Sequence, residues 1–251
     1  MIELRAPRRE ETAALRGLWR EAFGESAEFL DLFFRAAYDP ERCLVAMEGD
    51  NLAAMLYWFD CEFRDRRAAY LYGIATAEPF RGRGLATALM EQTHRHLENL
   101  GYGLAILVPA GESLFRFYGA RGYRTVGYLK ETVVSAGEPI AYQELGAAEY
   151  ARLRRSLLPQ NPVIQEGENL ALLAGYGRFF AGDGWCAVYT PGEHPVLAEF
   201  LGETNSAAGL IGALGLEQAV VRGPGGDKPF AMARALTEPI PQRLYFAFAF
   251  D

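Results

Sequence analysis

Cysteine and histidine are scarce in this 251-residue chain, at three residues each. Cys43, Cys61 and Cys186 are scattered, odd in number and without any Cys-x-x-Cys pair. That pattern excludes a disulfide framework and a cysteine-based zinc site, and leaves ordinary reduced thiols. The histidines offer no Ser/His/Asp or Cys/His arrangement. His94 and His96 fall in a helical run where surface positions are expected, and His194 stands in the turn-like Gly192-Glu193-His194-Pro195. No metal site is expected. Long apolar runs free of charge are absent, which excludes a membrane-spanning helix. The opening Met1-Ile2-Glu3-Leu4-Arg5 lacks the apolar core of a signal peptide. A cytoplasmic protein with no membrane partner is the expectation. Positive charge is in deficit, with a formal net charge of −7, which argues against a nucleic-acid partner. Two common nucleotide loops are also missing, Gly-x-x-x-x-Gly-Lys-Ser/Thr and Gly-x-Gly-x-x-Gly.

What is present is apolar content and one unusual turn. Hydrophobic residues make up 50% of the chain, so it is not a disordered one, and its length allows one large domain or two small ones. Arg81-Gly82-Arg83-Gly84-Leu85-Ala86 follows a strand-like run over 68–75 and opens an amphipathic helical run that continues through His96. A glycine-rich turn from strand to helix exposes backbone N–H groups at a helix N-terminus, where the dipole also favours an anion. Gly82 and Gly84 allow close approach of a ligand, and Arg81 and Arg83 add side-chain charge to the same place.

The hexapeptide resembles the pyrophosphate-binding loop of the GNAT superfamily of acyl-CoA-dependent N-acetyltransferases, written Arg/Gln-x-x-Gly-x-Gly/Ala. Arg81, Gly84 and Ala86 occupy its defining positions. The approach, Tyr72-Gly73-Ile74-Ala75-Thr76-Ala77-Glu78-Pro79-Phe80, resembles the family's central strand and its proline-containing turn. A second block, Leu114-Phe115-Arg116-Phe117-Tyr118-Gly119-Ala120-Arg121-Gly122-Tyr123, is similar to the Tyr-x-x-x-Gly-Phe/Tyr signature, with a strand over 104–108 between the two. The resemblance covers residues 1–135.

It implies an α/β fold with a mixed central sheet flanked by helices, and acetyl-CoA as cosubstrate. It implies main-chain groups of Ile74, Ala75 and Thr76 on the pantetheine arm, and backbone N–H groups from Arg81 through Gly82, Arg83, Gly84 and Leu85 to Ala86 on the pyrophosphate. Tyr118 becomes the general acid for the leaving sulfur, and Tyr123 a structural residue. The partner would be a small-molecule or protein amine. Two departures matter. Residues 70–76 hold no carboxylate, so the general base stays open among Asp60, Glu62, Glu78 and a water chain. The same gap supports an alternative, a catalytically inactive acyl-CoA-binding or sensing module. In addition, Val108-Pro109-Ala110-Gly111 replaces an asparagine common in the family and resembles the enhanced-intracellular-survival type. In that type a C-terminal carboxylate enters the active site. Here the tail is Leu244-Tyr245-Phe246-Ala247-Phe248-Ala249-Phe250-Asp251. If Phe246, Phe248 and Phe250 pack on one face, Asp251 is held as a catalytic group; equally, the tail only completes a sheet.

Periodicity predicts helices over 10–23 and 25–38, a hairpin of strands 42–48 and 52–63, helix 84–100, helix 111–121 and strand 124–134. Beyond Ala136 it predicts helices over 146–158 and 167–180, strands over 185–190 and 196–200, and helix 205–214. Strands over 218–222, 229–236 and 244–250 follow, with a flexible hairpin at 223–228. This order echoes the first half, so the chain reads as a catalytic domain, 1–135, followed by a degenerate GNAT-like half, 136–251. The second half has no counterpart to the turn, because Gly202-Glu203-Thr204-Asn205 carries an acidic flank, and it is not expected to bind CoA.

Overall fold

The computed structural model describes residues 2–250, which fall into two compact units. The first comprises 2–107 with Arg234–Ile240, and the second Val108–Ala233 with 241–250. The boundary at Ser135 drawn from the motifs therefore lies inside the second unit, which also contains Tyr118.

In the first unit β1 (Ile2–Arg5) leads to α1 (Thr12–Phe23) and α2 (Ala27–Ala36). Then come β2 (Cys43–Glu48), β3 (Asn51–Phe63), β4 (Arg66–Thr76), α3 (Leu85–Asn99) and β5 (Leu104–Leu107). Spatial order follows chain order, antiparallel throughout except for the parallel pair β4–β5. β3 is buried without alternation from Ala53 to Phe59, the pattern of a strand covered on both faces. Tyr57 and Phe59 meet Phe33 of α2, at ring separations of 5.1 and 6.2 Å. Trp58, pointing the other way, meets His96 of α3 at 5.8 Å. Ser26 caps α2 by accepting the Phe29 N–H at 3.1 Å, which sets where the helix starts.

In the second unit α4 (Glu112–Gly119), β6 (Arg124–Ser135), β7 (Gln143–Leu145) and α5 (Ala147–Leu157) come first. They are followed by β8 (Val163–Ile164), α6 (Glu168–Leu173), β9 (Arg178–Gly182), β10 (Trp185–Thr190), β11 (Val196–Leu201), α7 (Thr204–Ala213) and β12 (Gln218–Ala235). The last two residues of β12 count with the first unit. β7, β9, β10, β11 and β12 lie side by side, with β11–β12 parallel and the other pairs antiparallel, and β6 pairs with β12. Apart from the two-residue β8, the run strand, two helices, three strands, helix, strand repeats that of the first unit. The expected mixed sheet with flanking helices is present, with a second half of the same pattern.

Several local expectations change. The helix drawn over 167–180 stops at Leu173, and Arg178–Gly182 is strand β9, satisfied by β7 on one side and β10 on the other. No hairpin separates two strands at 223–228. β12 runs through, and its register against β6 jumps from Gly223↔Lys130 to Lys228↔Leu129, so Pro224, Gly225, Gly226 and Asp227 are inserted between the two pairs. His94 is not a surface residue: it lies on the packed face of α3 and is 2% exposed.

The tail is held, but not as the strand drawn over 244–250. Tyr245 donates its N–H to Asn161 O at 2.9 Å and accepts from the Val163 N–H at 2.8 Å. Further along, the Gln165 side chain replaces a neighbouring strand, donating to Phe248 O at 2.8 Å and accepting from the Ala247 and Phe248 N–H groups at 3.1 and 3.0 Å. Tyr245 and Ala247 are buried along with Phe246, Phe248 and Phe250, so the tail is covered on both faces rather than one. Among the described residues no helix is long and apolar enough to cross a membrane.

Candidate active site

The site begins where β4 leaves β5. The parallel ladder has three pairs, Ala68↔Leu104, Ala69↔Ala105 and Tyr70↔Ile106. On the other side β4 stays paired to β3 as far as Thr76↔Ala54, with a register shift between Met55↔Ala75 and Tyr57↔Tyr72. Leu56 is thus opposed by two residues, Gly73 and Ile74, which is a β-bulge. Gly73 has φ +61°, a conformation that glycine adopts without strain. The bulge follows the last β5 pair, so Ile74, Ala75 and Thr76 run beyond that ladder.

Next comes the turn. Ala77 returns its N–H to Ala53 O at 2.9 Å, and a 3-10 turn over Glu78–Phe80 carries the chain to Arg81. Gly82 and Gly84 have φ +74° and +76°, and a Cβ built on either meets no atom within 4 Å, so open space lies in front of the turn. Gly84 caps α3, whose 15 residues begin at Leu85. The first N–H groups of a helix have no partner within it, so Leu85 and Ala86 present donors at the positive end of the dipole. An acyl-CoA pyrophosphate fits these features. The guanidinium groups are less free than the sequence suggests. Arg83 is bidentate on Glu48, at 2.6 and 3.1 Å, and holds that carboxyl below its usual range. Arg81 donates its Nε–H to Thr76 O at 3.1 Å, and its Nη2 lies 3.6 Å from Glu21. Arg81 thereby ties the turn to the end of β4, bringing Thr76 and the loop residues together.

Tyr118 sits in the last turn of α4 in the second unit, 8% exposed, its ring 5.2 Å from Phe117 and 5.9 Å from Tyr123. Its carbonyl accepts the N–H groups of Arg121 and Tyr123 at 2.9 and 3.2 Å, ending the helix. Burial pushes its phenol up to about 12, against a smaller opposing pull from Arg121. The group is protonated at neutral pH and able to donate. Asp251 lies outside the described residues. Asp60 is engaged by the Tyr102 hydroxyl and by Arg67 at 3.4 Å, opposite Ala69 and away from 74–76. Glu62 lies still further along, opposite Arg67. Glu78 is exposed in the turn, its N–H donated to Glu21 at 2.9 Å. His94 is pushed down to about 3, by burial first and then by Arg234 and Arg95, and is unsuited to base work there. Among the described residues no group of three or more potential ligands is placed to hold a metal.

Sequence reasoning missed the bulge. Its available signal was Gly73 inside a strand-like run, since an interior glycine marks a bulge or a close approach.

Residues 3–126 match the family model described as an acetyltransferase (GNAT) domain. The chain is also similar to solved structures over 94% of its length. One is a GCN5-related N-acetyltransferase from Anabaena variabilis, at TM-score 0.77 and 12% identity over 73% of that chain. Another, of the same description, is from Kribbella flavida, at TM-score 0.72 and 17% identity over 71% of that chain. A third is Eis1 from Mycobacterium abscessus, at TM-score 0.68 and 13% identity over 74% of that chain. At such identities the likeness is one of fold. No curated protein matches the chain.

Proposed function

Because residues 3–126 belong to the GNAT acetyltransferase family, we propose that the protein moves an acetyl group from acetyl-CoA to a primary amine. The observation that carries this reading is the parting of β4 from β5 after Tyr70, just ahead of the Gly82–Gly84 turn that opens α3. Acetyl-CoA supplies the activated acyl group and a leaving thiolate. Ile74, Ala75 and Thr76 align the pantetheine arm through main-chain groups. Backbone N–H groups between Arg81 and Ala86 take the pyrophosphate. The amine attacks the thioester carbonyl directly; a C–N bond forms, the C–S bond breaks, and the enzyme forms no covalent intermediate. Tyr118 donates its proton to the departing sulfur as general acid. Asp251 enters as a candidate for orienting the amine. The acceptor is a small-molecule or protein amine, and the buried thiols Cys43, Cys61 and Cys186, none of them in a disulfide, accord with a cytoplasmic location.

The test is thiol release from acetyl-CoA across an amine panel, with the acetylated product followed by mass. Release that depends on an amine supports the proposal. The absence of any carboxylate from Tyr70 to Thr76 favours a second reading, an acyl-CoA-binding module without chemistry. Binding of acetyl-CoA with no release would select it.

A further inference from the structure

We infer that Trp19 is a positioning residue for acetyl-CoA, its ring holding the bulge at Gly73 from which residues 74–76 run. The inference rests on the acetyltransferase reading above. Trp19 is 1% exposed on α1, and its ring lies against the β4 backbone at the bulge. A Cβ on Gly73 would come within 2.7 Å of Trp19 Cη2 and 2.8 Å of Cζ2, closer than side chains tolerate. The ring and the bulge therefore fit only with glycine at 73. Aromatic neighbours hold the ring in turn: Phe33 at 4.6 Å and Phe34 at 6.3 Å from α2, and Tyr72 at 5.5 Å from β4. The indole N–H is buried and has no hydrogen-bond partner among the described residues. Shape, not a hydrogen bond, is what the ring contributes.

The consequence for function follows from strand periodicity. A bulge inserts one residue, so losing it moves every following residue to the opposite face and exchanges the main-chain groups that point away from β3. Residues 74–76 are the ones affected. With the ring gone, the space under Gly73 lets the strand relax toward a regular ladder, and those groups lose their aim.

The experiment compares wild type, Trp19→Leu, Gly73→Ala and a control, Leu15→Ala, which removes buried volume from the same helix. Melting curves establish that each variant is folded. Calorimetric titration with acetyl-CoA and hydrogen exchange at the amides of 74–76 are the readouts. Trp19→Leu should bind acetyl-CoA at least about tenfold more weakly and exchange faster at 74–76. The control should match wild type in both despite a similar melting loss. If Trp19→Leu does not fold, Gly73→Ala, which drives a methyl into the ring, must show the same pair of effects. A folded variant with wild-type affinity and unchanged exchange overturns the role given to Trp19. Wild-type protein that binds no acetyl-CoA overturns the acetyltransferase reading and the ligand named here. Exchange at 74–76 then still reports whether Trp19 holds the bulge.

Discussion

The two units repeat one order of elements and treat one position in opposite ways. The eighth residue of α1 is Trp19, and the eighth residue of α5 is Arg154; four residues earlier stand Leu15 and Tyr150, and all four are buried. In the first unit the eighth position lays a ring against a bulged glycine of β4, a strand whose end runs beyond its last pair with β5. In the second it sends a guanidinium to Glu199 of β11, at 2.7 and 2.9 Å, where Tyr150 and Tyr245 also donate hydroxyls to the same carboxylate. That cluster ties helix, strand and C-terminal tail together. The turns differ in the same sense. The N-cap of α3 is Gly84, left-handed like Gly82, whereas the N-cap of α7 is the extended, negatively charged Glu203, whose side chain makes no capping hydrogen bond. One scaffold thus gives an open strand and a glycine at the helix N-cap in one half, and a cross-linked strand and an acidic residue at the helix N-cap in the other.

The largest effect is expected from Tyr118→Phe, which keeps the ring and deletes the donor. Turnover should fall about 10²–10⁴-fold with acetyl-CoA affinity kept, as measured by steady-state kinetics and calorimetry. Because burial moves the wild-type phenol to about 12, its alkaline limb should fall near that pH and not near 10. Such a loss would sharpen the comparison, because Tyr118 packs with the second unit and its chemistry would then not follow compactness.

Next in size is Arg154→Ala, which leaves Glu199 buried without its cation. Denaturant unfolding should show a loss of about 3–5 kcal/mol. A negligible loss would break the view that this position cross-links the second unit.

Gly84→Val should weaken acetyl-CoA binding by at least about tenfold, since valine is strained at φ +76° and fills the space before the turn. The mirrored change, Glu203→Ala, should leave calorimetric affinity unchanged. If it weakens binding, the second half takes part in the cosubstrate site.

The last effect is a pH slope. His94 titrates near 6.5 when unfolded and near 3 when folded, so the unfolded chain takes up the proton first. The associated stability is present above about 6.5 and is lost as pH falls through that window toward 3. A His94→Leu protein should lose less stability than wild type between about pH 7 and about pH 4, read from urea midpoints.

Much of the first unit was legible because its signals are local. Gly82 and Gly84, between a strand and an amphipathic run, fix a conformation through near neighbours. The second unit was less legible because its helix over 167–180 was drawn from apolar spacing. Short apolar runs do not separate a helix from a buried strand, and only the neighbours β7 and β10 make 178–182 extended. Arg154 was invisible for a related reason: arginine is almost never fully buried, and its partner lies 45 residues away.

By itself the sequence determined the order of elements in the first half, the glycine turn at the head of α3 and the tyrosine-bearing helix after β5. These depend on backbone preference and periodicity within a few residues. Tertiary structure alone decided that Gly73 is a bulge under Trp19, that Arg154 and Glu199 close the second half, and that Gln165 rather than a strand secures the tail. Each depends on a side chain meeting a partner at least 45 residues away along the chain, so only the packed structure specifies which of the many possible encounters occurs.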